Sequence, residues 1–135
     1  MPVGSVYLRR QDGAWVLSLV GEHDLTTQSM LTDQIRRLTN TGDGLVVDLR
    51  QAEFIDSTVI HALRAAHAEA DGGKPDRFAI VVRIGATASR VVSLVGLDRV
   101  IPAFEHLETA IRTVTARSPQ DVDDGVYGRS PLSAS

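Results

Sequence analysis

The sequence predicts an α/β domain: a mixed, mostly parallel sheet of roughly four or five strands, about four helices and an N-terminal hairpin. Three observations lead there. Two β-rich runs, Ser5 to Arg10 and Ala14 to Val20, flank the turn residues Asp12-Gly13, the signature of a tight hairpin. The run LVVDL, Leu45 to Leu49, is short, largely apolar and preceded by glycine, as a central strand buried on both faces would be. Beyond it, strand-like and helix-like runs alternate, which implies right-handed crossovers between parallel strands.

Within the hairpin, Trp15, Leu17 and Leu19 alternate onto one face. After Gly21, Asp24 is placed to cap a helix whose Leu31, Ile35 and Leu38 recur at helical spacing, and NTGDG ends it with Gly42 in the C-terminal position. A strand-like pair, Phe54-Ile55, leads from the central strand into Asp56, where a second helix begins. Its stripe is Val59, Leu63, Ala66 and Ala70, and DGGKPD stops it. RFAIVVRIG then reads as a strand, ATASRVVSLVG as a short helix ended by Gly96, DRVIPAF as a brief strand, and HLETAIRTVTA as a closing helix lined by Leu107, Ala110, Ile111 and Val114. The domain is expected to span residues 1–117. From residue 118 to 135 the chain is polar, acidic at first and broken by Pro119, Gly125, Gly128 and Pro131, so a disordered tail is expected there.

Composition narrows the function classes. A chain of 135 residues suits one domain. With 14 basic against 17 acidic residues, a net charge of −3 and a pI near 5.7, it has no basic block for nucleic acid or anionic lipid. Cysteine is absent, which removes disulfides and thiolate chemistry. There is neither a signal-peptide core nor an apolar run of membrane-spanning length, so the expectation is a soluble cytoplasmic protein without membrane insertion. No GxSxG, Walker A, GxGxxG or HExxH pattern occurs. His61 and His67, six apart, fall on opposite sides of one helix, so neither a metal nor another cofactor is expected. Asp24, Asp48 and Asp56 are imaginable as an acidic cluster at one sheet end, but the only lysine, Lys74, sits in a loop pattern away from them. An enzyme is not expected.

The stretch that invites a function is FIDSTVIHAL, Phe54 to Leu63. Asp56, Ser57 and Thr58 are all residue types that cap helices, and capping alone accounts for them on local grounds. Three stretches taken together resemble a known family, the STAS domains, and among them the bacterial anti-sigma factor antagonists. GEHDLTT at Gly21 to Thr27 is similar to the family's Gly-Glu-x-Asp loop. LVVDLRQAEFIDST at Leu45 to Thr58 is similar to its strand followed by Asp-Ser-Ser/Thr. ASRVVSLVGLDRVIPAFEHLETAI at Ala88 to Ile111 resembles its C-terminal helix, turn, short strand and closing helix.

The resemblance implies a STAS-like fold and a partner switch. The serine matching position 57 is phosphorylated in that family by the anti-sigma factor, itself a serine kinase, and restored by a metal-dependent serine phosphatase; the unmodified form binds the anti-sigma factor and frees sigma. It places Ser57 as the acceptor, with Thr58 second, and Asp24, Asp56, Ser57, Thr58 and His61 on the partner-binding surface. Family members often follow the acceptor motif with Gly-Leu-Gly, whereas Val59-Ile60-His61 stands here and is expected to add bulk and stiffness to the turn. His61 offers a positive or hydrogen-bonding contact when protonated, or is simply a helix residue at the surface. Two rival readings remain open: a STAS docking or scaffold subunit, for example of a lipid-transport or stress-signalling complex, and a nucleotide-binding domain using the glycine turns. Oligomeric state is also open, a weak homodimer included.

Overall fold

In the computed structural model, which describes residues 4–23, 25–71 and 77–116, strand β1 (Ser5–Gln11) returns into β2 (Ala14–His23) through Asp12 and Gly13. Their φ angles of 51° and 87° are the left-handed pair that a two-residue hairpin turn demands. The chain continues as α1 (Leu25–Thr39), β3 (Gly44–Asp48), β4 (Ala52–Ile55), α2 (Ser57–Asp71), β5 (Phe78–Val81), α3 (Thr87–Leu94), a single 3-10 turn at Leu97–Arg99, β6 (Ala103–Phe104) and α4 (Leu107–Thr115). Asp24, Lys74 and the expected tail from residue 118 lie outside the described residues.

The sheet runs β1-β2-β3-β5-β6, antiparallel only between β1 and β2, with β4 set against the far end of β2. The expected class stands; sequence patterning missed that β4 is a strand in its own right and that DRVIPAF begins in a 3-10 turn, leaving only Ala103–Phe104 as strand. The break before it has a local cause. The Asp48 carboxylate accepts the Arg50 backbone N–H at 3.0 Å, and the Ala52 amide donates to the Leu49 carbonyl at 3.2 Å, folding Asp48 to Ala52 into a turn. Gly21, at φ 86°, bends β2 where its partner changes, and its amide donates to the Gln51 carbonyl at 3.0 Å. Its register shifts just after that glycine, so β2 serves β3 with one half and β4 with the other.

Side chains alternate across the sheet into two apolar layers. On one face Leu17, Leu19, Leu45, Val47, Phe78 and Ile80 meet the expected stripes of α1 (Leu31, Ile35, Leu38) and α2 (Val59, Leu63, Ala66), together with Ala88 and Val92 of α3. On the other, Ala14, Val16, Val46, Ala79 and Val81 lie under Leu107, Ala110, Ile111 and Val114 of α4. β3 is therefore buried on both sides, as its apolar run requires. α4 sits so close that a Cβ on Gly44 would lie 2.5 Å from the Val114 carbonyl oxygen; only a residue without a side chain lets this helix approach.

At the hairpin end the Arg10 guanidinium lies 4.9 Å from the Trp15 ring centre and reaches Asp43 at 2.9 Å, pinning the turn to the start of β3. His67, only 7% exposed, packs edge-on to Phe78 with ring centres 5.6 Å apart, whereas His61 faces solvent. The two histidines do point to opposite sides of α2. No described helix is long and apolar enough to cross a membrane.

Candidate functional site

The parallel strands β2, β3, β4 and β5 all end at one edge of the sheet, and α2 starts there, straight after β4. Asp56 is the residue that caps it. Its Oδ1 accepts the Val59 amide at 3.3 Å, and its backbone carbonyl accepts the first intrahelical bonds, from Val59 at 3.1 Å and Ile60 at 3.2 Å. Of the three capping candidates in Asp56-Ser57-Thr58, the aspartate holds the helix end. Ser57 is the first helical residue, exposed, and its hydroxyl makes no hydrogen bond to a described residue. Asp56 itself is half-buried at the base of that serine. Asp56→Ala is expected to cost about 0.5–2 kcal/mol, the usual value of a helix cap, read from a shift in the urea midpoint at unchanged slope.

The next residues divide by face. Val59 is fully buried and Ile60 is 4% exposed, both within the core under α1 and α2. The bulk of Val59 and Ile60 therefore goes inward, while that of His61 stands on the outer surface. A helix places residues at intervals of three and four on one side, and the exposed positions obey this: Ser57, His61, Arg64 and Ala68 form one straight outer stripe. Arg64 donates from Nη2 to the Val95 carbonyl at 2.9 Å, which ties the stripe to the end of α3. Beyond it Leu94, 84% exposed, and Val95 keep apolar surface in water. Neither Arg64 nor Leu94 was singled out by sequence, since the adjacency of α2 and α3 depends on crossovers that leave no local pattern.

Asp48 is not part of this surface. It projects from β3 to the α4 side and is 6% exposed, its oxygens taken by Arg50: Nε at 2.9 Å to Oδ1 and Nη2 at 2.8 Å to Oδ2. The hydrogen bond to Asp48 is the main reason the Arg50 guanidinium titrates above its usual value; desolvation opposes it, and the Asp48 and Glu108 charges add to the rise. A raised basic pKa stabilises the fold below the unfolded value and is lost only as pH rises through the folded one, so the Arg50 contribution is in full force at neutral pH. Asp48 is thus turned to the opposite face of the sheet from α2 and Asp56, and among the described residues no three acidic or histidine side chains gather as a metal site. Thr58 lies in the first turn of α2.

The order of these pieces matches a known family model, the STAS domain, over residues 5–110. The chain belongs to the STAS domain family. This STAS domain is 32% identical over 111 residues to the anti-sigma-F factor antagonist RsfB of Mycobacterium tuberculosis, covering 82% of this chain and 88% of that one. It also superposes on the crystal structure of an anti-sigma factor antagonist from Mycobacterium paratuberculosis with a TM-score of 0.73 and 31% identity, over 83% of this chain and 94% of the other. SpoIIAA of Bacillus in its phosphorylated form shares the fold at a TM-score of 0.60 and 18% identity, over 82% of this chain and 99% of that one.

Proposed function

We propose that this STAS domain is an anti-sigma factor antagonist: it binds an anti-sigma factor that is also a serine kinase, so that sigma is freed, and phosphorylation of Ser57 switches it off. The observation that carries the reading is the division of labour at the start of α2. Because Asp56 caps the helix, the Ser57 hydroxyl stands exposed and uncommitted, and modifying it leaves the fold's own bonds intact. The likeness to RsfB and to the Mycobacterium paratuberculosis antagonist supports the choice of partner class.

In the switching step the Ser57 oxygen attacks the γ-phosphorus of ATP held by the partner. The bond from that phosphorus to the ADP oxygen breaks, and the hydroxyl proton passes to a base of the kinase. A metal-dependent serine phosphatase reverses the modification by hydrolysis. The new dianion sits beside Asp56, so a partner surface shaped for a neutral hydroxyl meets bulk, like charge and a desolvation cost. Asp24, Thr58 and His61 complete the docking surface in this reading, Thr58 being the acceptor candidate that a shifted band in Ser57→Ala would point to instead. The role is one of binding rather than catalysis, exercised in the cytoplasm.

Incubation with the cognate anti-sigma factor and ATP, followed by a phosphate-affinity gel, tests it. One shifted band is expected for the native chain and none for Ser57→Ala, while both bind the anti-sigma factor alike when ATP is withheld. A native chain that binds but accepts no phosphate would fit a docking subunit instead and end the switch reading.

A further inference from the structure

We propose that His61 is the intramolecular partner of the phosphoryl group on Ser57, holding it along the outer face of α2; this rests on the switch reading above. Residues four apart on a helix have Cβ atoms about 5–6 Å from each other, and each Cα–Cβ bond leans toward the helix N-terminus. His61 therefore reaches back over the turn that carries Ser57. Both side chains are exposed, and His61 makes no hydrogen bond to a described residue.

The surroundings of the pair favour this direction over others. The Asp56 carboxylate, committed to the Val59 amide, repels a phosphoryl dianion from the cap side. Arg64, the next cation on the stripe, is tied to the Val95 carbonyl. On the neighbouring helices the described charged groups are Asp33 of α1, 3.7 Å from Arg36, and the exposed cations Arg37 of α1 and Arg90 of α3; none of these is placed by the structure against His61. An anion one turn N-terminal to a cation is also the favourable order along a helix. Val59 and Ile60 anchor the same turn in the core, so the turn that spaces the two groups is fixed. The run Val59-Ile60-His61 thus provides rigidity with its first two side chains and an exposed imidazole with its third.

The test uses the full chain with phosphoserine installed at position 57 during synthesis, so that no kinase is needed, and follows the phosphate's second ionisation by phosphorus NMR. That ionisation lies near 6, where histidine is substantially cationic. The phosphate is expected to ionise at a pH lower by about 0.2–0.4 unit in the native background than in His61→Gln, an effect of the size of an exposed helix ion pair. His61→Lys should restore the shift, and 1 M salt should shrink it. Urea midpoints of the unmodified proteins should coincide within error, which separates an effect on the phosphoryl group from one on folding. Equal ionisation in native and His61→Gln proteins overturns the pairing. That result leaves Ser57 phosphorylation untouched, whereas failure of the kinase assay removes the switch and says nothing against the pairing chemistry.

Discussion

Ser57→Asp is expected to weaken binding to the anti-sigma factor by two to three decades, about 3–4 kcal/mol, measured by calorimetry against the native chain. The size follows from where the charge is put. Position 57 is exposed on the first turn of a helix whose cap is already provided by its neighbour, so the substitution should leave the folded state intact while placing a carboxylate beside Asp56 in the middle of the proposed contact. Truncating one member of a desolvated contact commonly costs several kcal/mol, and a buried like-charge pair falls in the same range. The fold control is thermal: the melting temperature should move little, since an added acid in the first helical turn is mildly favourable. Affinity within a factor of three of native would remove charge exclusion as the mechanism.

Gly44→Ala is the second large effect, and it acts on stability. Its Cβ would fall 2.5 Å from the Val114 carbonyl oxygen and 2.7 Å from the Val114 Cγ2 atom. A side chain can rotate away, but a backbone carbonyl in a helix moves only with its helix. The loss is expected near the top of the range for overpacking, about 3 kcal/mol, and shows as a lowered urea midpoint. Because α4 is the helix that covers Val16, Val46 and Val81 among the described residues, its displacement should also expose apolar surface and raise the binding of a hydrophobic dye.

Much of this architecture is legible in the sequence because the informative signals are local. The stripe Leu107, Ala110, Ile111 and Val114, the left-handed Gly42 and Gly96, and the Asp12-Gly13 turn each depend on a few neighbouring residues, and all appear where expected. β4 escaped because its existence is decided by partners distant in sequence: the Asp48 to Ala52 turn and the bend in β2 at Gly21. The site divides in the same way. Asp56-Ser57-Thr58 is recognisable as a helix start, but which residue caps it depends on side-chain rotamer. Val59 turns inward as its place on the stripe with Leu63 and Ala66 predicts, whereas Ile60, one position on and off that stripe, is buried as well. The closeness of Arg64 to Val95 is a product of packing between α2 and α3 and leaves no sequence mark.

The single-helix cover over one sheet face has a bearing on how the protein is made. Every strand of the sheet precedes α4 in the chain, so during synthesis Val16, Val46, Ala79 and Val81 emerge and pair while their lid is still inside the ribosome. At about 5–20 residues per second, the stretch from Val81 to Val114 leaves that apolar face uncovered for roughly two to seven seconds. A nascent chain arrested before Leu107 would present the bare face indefinitely, and holdase chaperones would be expected to capture it there.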